Sequence, residues 1–242
     1  MDLWYIRLIV VFYIVFALVE EVFRAREYPQ TKFWKLRGSI STFCYLAVSV
    51  YAPLLWDTWL AEHTVLDLTS LSVWLTVPIA FLSYELCLYI WHRSLHTFSP
   101  LWRSFHQMHH SAESFDIYGA FYFSLVDMIG FTFLASFSLV FFIGIPANVA
   151  IAAGLMHTFL GIFQHANIKT PKWLGFLIHR PENHALHHAR DVHSFNYGNT
   201  PIFDFLFRTF RNPDSFPDQI GFYEGASLKI LEMHLGKDVS KP

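Results

Sequence analysis

The chain has 242 residues, of which 54% are hydrophobic, 19% aromatic and only 15% charged, and its mean hydropathy is +0.34. Soluble chains carry about a quarter charged residues, so this one lacks the polar surface it would need in water. A formal net charge of −2 argues against nucleic acid as a partner. Cys44 and Cys87 both lie in apolar runs and read as small buried hydrophobes, not as a disulfide framework or a thiolate metal site.

An apolar stretch of about 20 residues is long enough to cross a bilayer as a helix. Five are expected: residues 3–19, 40–60, 71–91, 125–143 and 147–163. The first holds Arg7, ends at Glu20 and Glu21, and is too long and too poor in small residues for a cleaved signal peptide. The last two are separated by Gly144, Ile145 and Pro146, which predicts a tight helical hairpin. Any one of these segments has a buried core helix as its alternative reading; five together argue for an all-α integral membrane protein. No repeat or linker interrupts it. The expectation is one domain over residues 1–242, with a core at 71–212 and a cytoplasmic tail at 213–242.

Lys and Arg alternate between the connections. Arg24, Arg26, Lys32, Lys35 and Arg37 follow the first span, and residues 61–70 carry none. Arg93 and Arg103 follow the third, the hairpin turn is empty, and Lys169, Lys172, Arg180, Arg190, Arg208 and Arg211 follow the fifth. The first, third and final connections are therefore expected at the cytoplasmic face. Residues 92–110 and 184–193 then fall on the same side, because two spans lie between them.

Both of those segments are rich in histidine, of which the chain has 14. His92 and His96 are four apart and stack on one helical face; His106, His109 and His110 follow the i, i+3, i+4 pattern, and His184, His187 and His188 repeat it. Neutral imidazole suits iron, zinc, copper or nickel. Eight such ligands exceed what one ion accepts, so two ions sharing the set is the expected count. His63 and His234 read as ordinary hydrogen-bonded residues. Glu85 lies seven and eleven residues before His92 and His96, on the same stripe. A carboxylate within a span is costly and usually functional, and metal-bound histidines commonly donate their other N–H to one. Glu85 is expected in that role or facing water near the membrane surface; Asp127 and Asp204 are weaker candidates for the same role.

The boxes H-x3-H, H-x2-H-H and H-x2-H-H interleaved with spans resemble the fatty acid hydroxylase/sterol desaturase superfamily. The resemblance extends to Leu101-Trp102 and to a tail pattern at Asn196-Tyr197-Gly198, Phe203-Asp204 and Phe207-Arg208-Thr209-Phe210. It runs from the third span to about Asn212. Tyr122-Phe123-Ser124 stands where many relatives have Arg-x-His, Phe203 where tryptophan is frequent, and Arg208 where glycine is usual.

The resemblance implies two iron ions at the cytoplasmic membrane face, held by His92, His96, His106, His109, His110, His184, His187 and His188. Relatives often add a histidine from the helix before the last box, for which His165 is the better candidate and His157 the next. These two lie about 12 Å apart along a straight helix, and His157 reads equally as a hydrogen-bonded core residue. His193 is expected beside a ligand, and His179, before Pro181, outside the centre. Glu85, His193 and Asn196 complete the expected site as residues that serve the chemistry without binding metal.

The implied chemistry is O2 activation and oxidation of an unactivated C–H bond in a lipid, giving an alcohol or an alkene. The expected lipid is a sterol, a fatty acyl chain or a sphingolipid, in a cleft lined by Phe131, Phe133, Phe137, Phe141 and Phe142, whose alternative reading is that they face the membrane. No G-x-G-x-x-G or fused haem signature is present, so an external electron donor is implied, a cytochrome b5-like protein or a ferredoxin with its reductase. It is expected to dock near Arg180, Arg190 and Arg208. The membrane is expected to be a bacterial inner membrane or the endoplasmic reticulum. Rival readings are a zinc-dependent membrane hydrolase, weakened by the lack of H-E-x-x-H, and a non-enzymatic metal or haem carrier, weakened by histidines that gather at one surface instead of the midplane.

Overall fold

The computed structural model describes residues 4–241, so Leu3, where the first expected span begins, lies outside the described residues. These residues are helical with no strand beyond two isolated bridges. Four helical segments are long and apolar enough to cross a membrane: Trp34–Leu55, Val73–Thr97, Leu125–Phe142 and Ala147–His165. Helix α1 (Trp4–Phe23) has the length, but any 18 consecutive residues of it include Arg7, Glu20 and Glu21.

The ends differ from the expectation for local reasons. Helix α2 (Trp34–Tyr51) starts six residues early because Trp34 is buried and its indole N–H donates to the Asp116 carboxylate at 2.9–3.0 Å. Lys35 and Arg37, which hid that start in the sequence, pair with Glu21 and with the Ser227 carbonyl. Pro53 cannot continue an α-helix, so α2 tightens into a 3-10 turn, Ala52–Leu55, before the short α3 (Asp57–Glu62). Helix α4 (Val73–Thr97) overruns its expected end by six residues and carries His92 and His96 on that extension. It stops at Phe98, whose extended backbone (φ −104°, ψ 110°) breaks the helix and leads into the next turn.

A short turn α5 (Ser99–Leu101), a π-helical turn Trp102–His106 and α6 (Gln107–His110) follow. Helix α7 (Leu125–Ser136) is capped by the Ser124 hydroxyl, which accepts from the Asp127 N–H at 3.2 Å, and continues as a π-helical turn to Phe142. The predicted turn joins the fourth and fifth spans, which pack chiefly on other helices. Gly144 has φ 47°, and a Cβ there would stand 2.3 Å from Thr64, so the turn needs glycine to sit beneath the 63–68 loop. Helix α8 (Ala147–His165) returns, and α9 (Pro181–His187), α10 (Ile202–Leu206) and α11 (Ile230–His234) complete the chain.

Helix α8 packs on α1 and α4, and α7 packs on α2. The C-terminal ends of α1, α4 and α8 therefore meet the N-terminal ends of α2 and α7. Segments 98–124 and 166–241 cover that end as a cap. Glu20, 2% exposed, ties cap to bundle: its Oε2 accepts from the backbone N–H of Ile117 at 3.0 Å and of Asn167 at 2.9 Å. All Lys and Arg residues but Arg7 lie at this end of the bundle or in its cap.

Candidate metal centre

Nine histidines converge beneath the cap in two groups. His92, His96, His106, His110 and His187 form one, and His109, His165, His184 and His188 the other; within each group the candidate ligand nitrogens lie within 4.8 Å of one another. The spacing of the boxes explains the split. In box 106–110 the i and i+4 residues join the first group and the i+3 residue the second. In box 184–188 the assignment is reversed. Residues i and i+4 differ by about 40° around a helix, and i+3 is turned about 100° from i+4, so each three-histidine box straddles both groups. The first group is completed by His92 and His96 on the overrun of α4, and the second by His165 on the last turn of α8.

The hydrogen bonds decide which nitrogens point inward. His92 Nδ1 donates to the Tyr197 carbonyl at 2.7 Å and His187 Nδ1 to the Phe195 carbonyl at 2.8 Å. His106 Nδ1 donates to Asp127 Oδ2 at 2.8 Å, a pair with both side chains essentially fully buried. A carbonyl only accepts, so each of these rings carries its proton on Nδ1 and leaves Nε2 as a bare lone pair. The three Nε2 atoms nonetheless face each other, His106 and His187 each 3.0 Å from His92. In the second group, His165 Nδ1 donates to the Gly161 carbonyl, and its Nε2 lies 3.2 Å from His109 and 3.1 Å from His184.

Burial, reinforced by the neighbouring imidazoles, holds His106, His109, His110, His184, His187 and His188 well below the ordinary imidazole pKa. The rings are therefore neutral at physiological pH. Converging neutral lone pairs repel unless a cation lies between them. The Nε2 atoms of His96 and His110 are buried with no hydrogen-bond partner, which is costly for a polar atom and removed by a bound metal. Metal–nitrogen bonds of about 2.0–2.1 Å at right angles place adjacent nitrogens about 3.0 Å apart, close to the spacings found here. The donor set fits a metal in each group.

All eight box histidines and His165 are brought together; His157 is not. It lies two turns down α8, where Nε2 donates to the Phe81 carbonyl at 3.2 Å and Nδ1 accepts from the Asn199 amide at 3.0 Å. His193, half-buried with a pKa lowered by burial to about 4, stands outside both groups with Nδ1 3.1 Å from His110 Nδ1. His179 is fully buried against Asp204 Oδ2 at 3.0 Å. His63 and His234 bond the carbonyls four residues before them.

Glu85 does not meet a metal-group histidine, as its helical stripe led us to expect. Its Oε1 accepts from the Asn199 and Thr200 N–H groups at 2.8 and 2.6 Å and from the Thr200 hydroxyl at 2.9 Å, and so holds the loop whose Tyr197 carbonyl receives His92. Gly198 allows this approach, since a Cβ there would come within 2.6 Å of Glu85 Oε1. Asp127, the weaker candidate, takes the role expected of Glu85. Asp204 supports the same loop by accepting from the N–H groups of Tyr197 and Gly198 at 3.0 Å each. Burial opposes its charge, but the donors from His179, Thr209 and Gly198 keep its pKa below the usual value. Asn196 touches no ligand: its amide donates to the Asn183 carbonyl and its oxygen accepts from the Arg211 N–H, each at 2.8 Å, clipping α9 to the tail.

The acceptor carbonyls of Tyr197 and Phe195, and Glu20 beneath the cap, were missed by sequence reasoning. A carbonyl leaves no residue-type signal; Glu20 did, as a carboxylate closing an apolar helix, but it read as a span boundary.

A small cavity of about 80 Å³ touches His92, His106, His109, His165 and His184. It shares Tyr45, Tyr84, Phe131 and Thr158 with a larger cavity of about 350 Å³ deeper in the bundle. Of the five phenylalanines expected to line a lipid cleft, Phe131 does so, while Phe133, Phe137 and Phe142 point outward at 42%, 37% and 42% exposure. Arg180 is not available for docking either: it is 1% exposed and bonded to Asn212 and the Thr170 carbonyl, with Glu182 at 3.0 Å.

Residues 77–209, more than half of the chain, match the family model described as fatty acid hydroxylase. No solved structure matches the chain.

Proposed function

Because the chain belongs to the fatty acid hydroxylase family, we propose that it is a membrane oxidoreductase holding two iron ions in its nine-histidine centre and using O2 with external electrons to hydroxylate or desaturate a lipid. The observation that carries this reading is the division of nine neutral imidazoles into groups of five and four against a cavity that leads into the apolar bundle. When bound, the metals supply the oxidising power that breaks an unactivated C–H bond. In hydroxylation one oxygen atom enters the lipid and the other leaves as water, with two electrons and two protons from a donor; in desaturation both leave as water.

The chain's own residues set the conditions for that chemistry. Asp127, Tyr197 and Phe195 keep the Nδ1 protons of His106, His92 and His187 turned away from the centre, so three lone pairs stay aimed inward. Phe123, Phe131 and Tyr45 border the cavity and exclude water from the reacting carbon. A shallow surface pocket bounded by His96, Trp102 and His193 reaches the five-histidine group from the cap side. We assign it to the electron donor, with exposed Arg208 and half-buried Arg190, in place of buried Arg180, as the expected arginines left for docking. The concentration of Lys and Arg at the cap supports a cytoplasmic orientation for this end.

Five- and four-imidazole sites exceed what a catalytic zinc with an open position uses, which disfavours the hydrolase. The position of the groups at one end of the bundle disfavours a carrier. The test is metal analysis of detergent-purified, iron-reconstituted protein, with O2 uptake on adding reductant and lipid extract. About two irons per chain and lipid-dependent uptake are expected, with iron falling to about one in His109→Ala, staying nearer two in His187→Ala, and uptake lost in both. Reconstituted protein that consumes no O2 with any donor and lipid overturns the oxygenase reading.

A further inference from the structure

The 350 Å³ cavity is of a size typical for ligand sites and lies among α1, α2, α4, α7 and α8. Its end away from the histidines closes on half-buried Asp57, whose Oδ1 is shielded from solvent without a hydrogen-bond partner. Burial raises the Asp57 carboxyl above its usual range, and the Ser136 hydroxyl offsets only part of that. A buried carboxylate oxygen without a donor is unfavourable until a ligand brings one. Helix α8 is bare on the face it turns to the two cavities. Gly154 borders the large cavity and Gly161 the small one, and at each nothing lies within 4 Å of where a Cβ would stand. They are seven residues apart, about two helical turns, and so share a face.

We infer that the two cavities join as one passage that binds a single-chain lipid with a hydroxyl or amino head, the head donating to Asp57 and the chain running past Gly154 and Gly161 to the histidines. The inference rests on the lipid-oxidising reading and names the substrate class for it. Fatty acids and phospholipids are disfavoured, because their anionic heads would meet the like charge of a half-buried carboxylate. The position of oxidation follows as well. Asp57 stands at Ser136 and His106 at Asp127, nine residues apart on α7, or about 13 Å. An extended chain advances roughly 1.2 Å per bond, so head and reacting carbon are about eleven bonds apart.

The test is ligand-dependent thermal stabilisation of the purified protein, iron-loaded and metal-free, with hexadecanol, hexadecylamine and palmitate. The alcohol and the amine are expected to stabilise both forms, and palmitate neither. Asp57→Ala weakens alcohol and amine at least tenfold; the near-isosteric Asp57→Asn keeps the alcohol and loses any preference for the amine. Gly154→Leu, remote from Asp57, blocks both by filling the passage, which keeps the test informative if Asp57→Ala does not fold. Amine binding much tighter than alcohol assigns a cationic head, and equal binding assigns the hydrogen bond alone. Palmitate binding as well as the alcohol does, or Asp57→Ala binding like wild type, overturns the inference. So does oxidation beside the head instead of roughly the tenth to twelfth carbon. Intact head selectivity in a protein that takes up no iron and consumes no O2 would instead defeat the oxygenase reading alone.

Discussion

The two histidine groups are built differently. In the five-histidine group, three rings have Nδ1 held by a strong acceptor: the Tyr197 carbonyl, the Phe195 carbonyl and Asp127. In the four-histidine group, among the described residues, only His165 has such a bond, to Gly161 within its own helix. His184 Nδ1 is buried without a partner, and His109 leans on the Gly119 carbonyl outside hydrogen-bond geometry. The first group thus depends on a distant loop, and the second on the ends of α6, α8 and α9 themselves. Outer partners fix ring orientation and basicity, so the first group should tolerate loss of a ligand better and loss of its loop worse.

The largest effect should follow from removing a ligand of the smaller group. His184→Ala leaves three imidazoles there, and metal analysis should find about one iron per chain in place of two, with lipid oxidation down more than about 100-fold. His96→Ala leaves four in the other group, enough for an ion, and should keep nearer two irons with weakened affinity. Equal losses in the two variants would remove the asymmetry.

Next in size is Asp127→Leu, which removes the acceptor of His106 Nδ1. Losing such a partner typically costs 10–100-fold in metal affinity or activity, and titration of the second iron should remain normal. Gly198→Ala should follow. Its Cβ would crowd Glu85 Oε1 at 2.6 Å and the Thr200 carbonyl at 2.7 Å. Overpacking of this kind costs about 1–3 kcal/mol. A lower unfolding temperature with selective weakening of the five-histidine group is the expected pair of results; equal weakening of both groups would break the link between loop and group.

The boxes were legible because metal ligation demands one residue type at helical spacing, and helices provide that spacing locally. The spans were legible for the same kind of reason, and their ends were misplaced where tertiary partners outvoted hydropathy, as at Trp34 and Asp116. Lys35 and Arg37 look like a span boundary until Glu21 and Ser227 accept them. What stayed hidden is the 191–200 loop. Asp191, His193, Phe195 and Asn196 all have positive φ, a region that Asp, His and Asn tolerate and Phe does not, and the loop is held by Asp204, Glu85 and Arg211 from elsewhere in the chain. No local pattern announces a conformation imposed by remote carboxylates. For that reason Glu85 stands out in the sequence as a costly carboxylate while its partners do not.

His157 gives the smallest expected effect and the sharpest check on where the centre ends. It lies on the same helix as His165, and residue type alone recommends both as ligands. Its two nitrogens are already used by Phe81 and Asn199, and its ring stacks on Phe81 with centroids 4.5 Å apart. Metal binding would break one of those bonds, and at Nδ1 it would leave the buried Asn199 amide only its longer 3.4 Å bond to the His157 carbonyl. His157→Leu should therefore destabilise the fold by about 1–3 kcal/mol, the cost of a buried unsatisfied group, seen as a modest fall in unfolding temperature. Iron content should stay at the wild-type value in both groups, because neither draws a ligand from this turn of α8. Loss of an iron in His157→Leu but not in a variant of equal stability elsewhere on α8 would move the boundary of the centre two turns deeper into the membrane.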